Sequence, residues 1–195
     1  MSLNDYLKEH GFTQLEGNSN EVPEQQKDLM KLTANVVHIM EIGFNGGHSA
    51  DLILKNNPKA QLVSFDLGCH DYVLVAKEYI DKTYPGRHRL ILGDSRSSVK
   101  NFIKENPTHV FQVIFIDGGH EYSIAQADLN NCKRLAVRDT LVLMDDVIYN
   151  PGWFHQHTYG PSQVWQEART NKLVSEVSHT DYQPGRGMAW GYYCL

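Results

Sequence analysis

Cysteine is scarce in this chain of 195 residues: Cys69, Cys132 and Cys194 are an odd number, with no C-x-x-C pair and no zinc-ligand spacing. That argues against a disulfide framework and a cysteine-based zinc site. A reduced, cytoplasmic setting is the expectation, with Cys132 a core helix residue. Excess positive charge is also missing, since the formal net charge of -5 opposes an electrostatic grip on nucleic acid. The longest apolar runs have strand length, so no membrane span is expected. The opening residues, M-S-L-N-D-Y-L-K-E-H, lack the basic-then-apolar order of a signal peptide. There is no internal repeat and no low-complexity tract. What remains is a soluble globular protein, large enough for one domain with a three-layer α/β core.

The chain is organised around Val36 to Ala50, V-V-H-I-M-E-I-G-F-N-G-G-H-S-A. Val36 to Ile42 has the apolar run of a buried parallel strand. Gly43, Gly46 and Gly47 allow a sharp turn and close approach to a ligand. A helix starting at Ser49 would point its first amides back at whatever the turn holds. Strand, glycine turn and helix make the nucleotide-binding start of a Rossmann-type unit, although G-F-N-G-G-H is not the dinucleotide fingerprint G-x-G-x-x-G. Glu41, just before the first glycine, suits an ammonium better than a pyrophosphate. That favours S-adenosylmethionine (SAM) over NAD.

The remaining pattern alternates strands and helices. Leu3 to His10 reads as a short helix, Leu15 to Asn20 as a turn and Pro23 to Ala34 as a helix over the sheet edge. In a second reading, Val22 to Gln26 also lines the cofactor pocket. Strands are expected at Gln61–Asp66, Arg89–Leu92, Val110–Ile116 and Leu141–Met144, with helices at Asp71–Lys82, Ser97–Glu105, Ser123–Ala136 and Pro161–Thr170. The Ser123–Ala136 helix would turn Ile124, Ala127, Leu129, Cys132 and Leu135 toward the sheet. Leu173–Val177 and Met188–Cys194 form a closing antiparallel pair around Gln183-Pro184-Gly185. The fold class is α/β, a Rossmann-like doubly wound sheet, mostly parallel, with a reversed C-terminal strand. Residues 1–34 would be a helical cap and 35–195 the core of a single domain.

Candidate site residues fall at strand ends. Asp66, at the end of the second strand, can accept two hydrogen bonds from a ribose diol or cap the next helix. Asp94 and Ser95 can meet an adenine ring or cap their own helix. Asp117, Asp145 and Asp146 end adjacent strands, about 4.8 Å apart, and three like charges in one cleft call for protons or a cation. Oxygen ligands point to a hard divalent ion, Mg²⁺ for preference. The alternative is that Asp145 and Asp146 cap the next loop and Asp117 holds the cofactor or caps its own turn. His120, three residues past Asp117, reads as a general base, a metal ligand or a structural histidine. Trp153, His155 and His157 belong to an aromatic loop that would cover the substrate.

Together E-I-G-F-N-G-G-H-S-A at 41–50, Asp66, G-D-S at 93–95, I-D-G-G-H at 116–120 and M-D-D-V-I-Y-N-P-G at 144–152 resemble metal-dependent O-methyltransferases. The likeness is to the catechol O-methyltransferase type and to the macrocin and sugar O-methyltransferases of the broad methyltransferase domain 24 group. It runs from about Pro23 to the C-terminus. The resemblance implies that Glu41, Gly43, Asn45 and Ser49 hold the methionine end, with Ser49 near its carboxylate, Asp66 the ribose and Ser95 the adenine end. With Phe44, Gly47, Asp94 and Asp117 these are the expected cofactor-binding residues. Asp117, Asp145 and Asp146 would take the metal-ligand positions, with His120 and Asp117 catalytic. Catechol enzymes have Asp-Asn where this chain has Asp145-Asp146, which matches the macrocin-like enzymes, and they have a lysine base where this chain has His120.

The expected activity is SAM-dependent methyl transfer to a hydroxyl of a small molecule or sugar, with Mg²⁺ or another divalent cation. Alternatives are a metal-independent N- or C-methyltransferase and a non-catalytic SAM- or nucleotide-binding module, with an NAD dehydrogenase further off. The expected partner is a hydroxylated acceptor, with no nucleic acid and no membrane; a homodimer is left open.

Overall fold

The computed structural model describes residues 1–17 and 22–195. The expected Leu15 to Asn20 turn lies outside them beyond Gly17, which has φ +65°. The first helix, α1 (Leu3–Glu9), is closed by Ser2 and Asp5, each side chain accepting from the other's backbone amide. The second, α2 (Pro23–Thr33), opens on proline, whose missing N–H costs nothing at a helix start. Five strand–helix units follow: β1 (His38–Ile42) with α3 (His48–Asn56), β2 (Gln61–Asp66) with α4 (Tyr72–Thr83), β3 (His88–Leu92) with α5 (Ser95–Glu105), β4 (Phe111–Ile116) with α6 (Tyr122–Cys132), and β5 (Ala136–Asp145) with α7 (Tyr159–Thr170). A hairpin of β6 (Val174–Gln183) and β7 (Arg186–Tyr193) ends the chain.

The sheet has the order β3-β2-β1-β4-β5-β7-β6. Strands β1 to β5 pair in parallel, and β7 runs antiparallel between β5 and β6. This is the expected doubly wound α/β sheet with its reversed C-terminal strand. Alternate residues of the central strands feed two cores. Met40, Ile114 and Val142 pack under Phe102, Leu129 and Trp165 of α5 to α7. Ile39, Val113 and Leu143 pack under Leu7, Leu29, Ile53 and Ile80 of α1 to α4. Helices on both faces explain why these strands read as continuous apolar runs. No helix among the described residues is long and apolar enough to cross a membrane.

The elements depart from expectation where polarity masks the pattern. The helix after β4 ends at Cys132, and after one 3₁₀ turn β5 begins at Ala136, not Leu141; exposed Val137, Arg138 and Asp139 hide its start. Likewise β6 reaches Gln183, past the expected Val177, and the Ser, His, Thr and Asp of its outer half hide that extension. In α6, Ala125 and Asp128 are buried with Leu129 and Cys132, while Ile124 and Ala127 are partly open. A buried carboxyl thus sits where an apolar stripe was expected, and burial pushes Asp128 up to about 6. The aromatic loop carries two 3₁₀ turns, Pro151–Trp153 and Gln156–Thr158, and α7 starts at Tyr159, not Pro161.

The strand order reverses between β1 and β4, the place where open α/β sheets bind ligands. There Asp117 donates its amide to Ile42 O at 2.8 Å, and Gly43 donates to Phe65 O at 2.8 Å. A Cβ on Gly43 would lie 1.8 Å from the Asp117 carbonyl oxygen, and Gly43 has φ +96°. No other residue fits without moving a strand. Gly43→Ala is expected to cost about 3 kcal/mol or more in urea unfolding, from overpacking and backbone strain combined. Phe115→Ala, one residue before the end of β4 and 1% exposed, is expected to cost about 3–5 kcal/mol in the same measurement.

Candidate active site

A cavity of about 610 Å³ opens at the carboxyl ends of β1, β2 and β4, within the range of small-molecule sites. Its floor is the glycine turn. Asn45 (φ +47°) and Gly47 (φ +76°) take left-handed conformations, and the Asn45 amide donates to Asp66 Oδ2 at 2.8 Å. The other Asp66 oxygen accepts from the Gly68 amide at 2.7 Å. Asp66 therefore ties two loops together while remaining on the cavity wall with spare lone pairs. Asp94 caps α5 through the Arg96 amide at 2.9 Å and pairs with the Arg96 guanidinium at 2.6 Å. Asp94 thus takes the capping role, and the capped turn with Ser95 also lines the cavity.

Of the expected cofactor residues, Gly43, Phe44, Asn45, Ser49, Asp66, Asp94, Ser95 and Asp117 border the cavity. Glu41 and Gly47 stand behind it. Glu41 points into the sheet, where its oxygens accept the hydroxyl protons of Ser49 and Ser64. Burial pushes the Glu41 carboxyl up to about 7, against the opposing pull of the two serine bonds. Gly47 serves the turn, its absent Cβ leaving room for the Phe44 ring 3.0 Å away.

The far end of the cavity gathers acids and imidazoles. Asp117 ends β4, and His120 follows on a loop against which α7 begins: a Cβ on Gly160 would lie 2.1 Å from His120 O. Asp146 follows β5 in a left-handed turn (φ +58°), a conformation aspartate tolerates better than most residues. The turn aims its carboxylate at His120, with His120 Nε2 2.9 Å from Asp146 Oδ2. One ligand atom from each of Asp117, His120 and Asp146 lies within 4.8 Å of the others. Asp146 Oδ1 is buried with no hydrogen-bond partner.

Asp145, expected in this group, is placed beside it. Its Oδ1 accepts from Gln25 Nε2 at 2.6 Å, so α2 helps build the site, with Gln25 on the cavity wall. Burial, then the Asp146 charge, raises the Asp145 carboxyl. Burial, then the charges of Asp145 and Asp146, raises Asp117 as well. The Asp146 bond raises His120, opposed by burial.

Four further wall residues carried no readable signal: His48, His70, Arg96 and Arg186. Arg186 arrives from the start of β7, and its charge favours the ionised forms of Asp117 and Asp145. From the covering loop His157 reaches the wall. It lies 3.7 Å from Asp146 Oδ1, and its Nε2 is 2.9 Å from Gly185 O in the hairpin turn. Trp153 is not on the wall; its carbonyl accepts from the Gly185 amide at 2.8 Å.

A family model described as a methyltransferase domain matches residues 40–147, from the second half of β1 to just past Asp146. A search of curated proteins gives no match. Among solved structures, an O-methyltransferase from Bacillus cereus in complex with SAH aligns with a TM-score of 0.73 and 18% identity, over 98% of this chain and 90% of that one. Cofactor-bound Rv0187 from MTB gives 0.75 and 16% over 98% and 87%. CalS11, a TDP-rhamnose 3'-O-methyltransferase of calicheamicin biosynthesis, gives 0.66 and 19% over 88% and 78%. These likenesses establish the fold. With the family match covering more than half its length, the chain belongs to the methyltransferase domain family and has the class I fold of SAM-dependent methyltransferases.

Proposed function

We propose that this methyltransferase moves the methyl group of SAM to a hydroxyl of a small acceptor, with a divalent cation, Mg²⁺ for preference, orienting that hydroxyl. The observation that carries the reading is the meeting of Asp117, His120 and Asp146 at one end of the cavity. Their donor set suits a hard ion, and the orphaned Asp146 Oδ1 is an atom a cation would satisfy. The structural relatives named for O-methyl transfer agree with this choice of acceptor atom.

The chain's own groups divide the work. The turn from Gly43 to Ser49 would hold the methionine end against the first amides of α3. Asp66 offers acceptor lone pairs to a ribose diol, and the Asp94–Ser95 turn stands where an adenine edge would come. Asp117, His120 and Asp146 would hold the ion, which when bound would lower the pKa of an acceptor hydroxyl. Asp145, steadied by Gln25 and raised by burial, is the carboxylate assigned to receive the hydroxyl proton. His157 and the covering loop close over the acceptor. Most of the acceleration would come from holding two reactants in line and excluding water.

A second reading rests on the His120–Asp146 pair. The 2.9 Å bond would steady an imidazolium, so His120 could take the proton without an ion, as a metal-independent enzyme requires.

Calorimetric titration is expected to give one SAM site per chain and a separate Mg²⁺ site. An acceptor screen over phenols and hydroxylated sugars is expected to find EDTA-sensitive transfer. Asp146→Asn and Asp117→Asn should each lower that transfer by more than about 100-fold while SAM still binds. EDTA-insensitive transfer that His120→Ala abolishes would select the second reading, and failure to bind SAM would refute the donor assignment.

A further inference from the structure

After α1 the chain runs from Gly11 to Gly17 without helix or strand, and of these residues Phe12 and Leu15 are partly buried while the rest are exposed. The stretch lies along the cavity. Phe12 packs edge-on to Tyr72, with ring centroids 6.0 Å apart. Leu15 sits on the glycine turn, where a Cβ on Gly46 would lie 2.9 Å from its Cδ1. Glu16 and Gly17 form part of the cavity wall. At the far end a Cβ on Gly17 would lie 3.7 Å from the Arg186 guanidinium. The stretch therefore crosses from the loops at the ends of β1 and β2 to the acidic end.

Glu16 fastens it. Its carbonyl accepts from Asn45 Nδ2 at 2.5 Å, and its amide donates to the Tyr72 hydroxyl at 3.4 Å. Its carboxylate pairs with His70 Nε2 at 2.8 Å. Asn45 belongs to the glycine turn, and His70 and Tyr72 follow Asp66, so one residue spans the two loops that Asp66 ties together. The fastening is open to water: the His70 and Glu16 side chains are 40% and 78% exposed, and exposed pairs hold weakly. At the other end Gly11 has φ +88°, with nothing within 4 Å of where its Cβ would stand. The backbone can turn there without striking a neighbour. A segment with so few buried contacts opens at low cost.

We propose that Gly11–Gly17 is a strap, hinged at Gly11 and latched by Glu16, that opens to admit and release the methyl donor and closes against it. This rests on the SAM reading above. Glu16 and Gly17 complete the cavity wall while the strap is closed, so a donor that touches them binds the closed form better and holds it shut. The latch then governs the rates of entry and exit.

The test uses the full chain and S-adenosylhomocysteine (SAH). Hydrogen exchange read by mass spectrometry is expected to slow about tenfold or more in the strap when SAH binds. Release of tritiated SAH, chased with unlabelled SAH, should quicken about two- to fivefold in Glu16→Gln, which loses the ion pair but keeps the backbone bonds. Leu15→Ala, at a position off the cavity wall, should quicken it about tenfold. Association should quicken as well in both variants, whereas a lost contact to the ligand speeds release alone. SAH binding with strap exchange unchanged, or variants in which association keeps its wild-type rate, would overturn the strap and leave the donor reading intact. Absence of both SAM and SAH binding in calorimetry would overturn both.

Discussion

Repulsion among carboxylates at one edge of a parallel sheet is the constraint to which the rest of this molecule answers. Asp117, Asp145 and Asp146 end two neighbouring strands, with Glu41 one strand further over, and all but Asp117 are buried. In a low-dielectric interior such a set cannot ionise together without compensation. Each neighbour supplies a part of it. Gln25 reaches over from α2, His120 pairs with Asp146, and Arg186 brings a positive charge from β7. Two serines accommodate Glu41. The reversed last strand is part of this arrangement, since it carries Arg186 to the cleft and holds the hairpin turn against the covering loop.

The glycine turn serves the same end by steric means. Because Gly43 has no Cβ, the backbone of Asp117 passes directly beside it, and the donor cavity and the acidic end become one continuous space. A larger residue would force β1 and β4 apart at this point. The shape of the cavity floor is therefore set first by backbone packing between β1 and β4, and only then by side chains.

Much of this was legible in the sequence. Strands buried on both faces announce themselves as apolar runs, and the acids that end them mark the sheet's carboxyl edge. Gly43, Asp66 and Asp117, picked out at strand ends, all line the cavity. Less legible was whatever depended on contacts across the chain. Glu41 was expected to hold a cofactor; it stands behind the cavity wall, accepting from Ser49 and from Ser64 on the next strand. Asp145 was expected as a metal ligand; its Oδ1 accepts from Gln25, 120 residues away in sequence, beside the group of Asp117, His120 and Asp146. The starts of β5 and the length of β6 were hidden by exposed polar residues, which packing on neighbouring strands overrides. His157 sits in a loop with no period to read.

The bond between Gln25 and Asp145 also constrains how the molecule can be made. During synthesis the second helix emerges early, yet its partner leaves the ribosome only after most of the sheet has been translated. Until then the helix lacks that anchor, so docking of the N-terminal segment should be among the later steps in maturation of a newly made chain. An emerging chain would thus possess the glycine turn of the cavity before it possesses a finished acidic end.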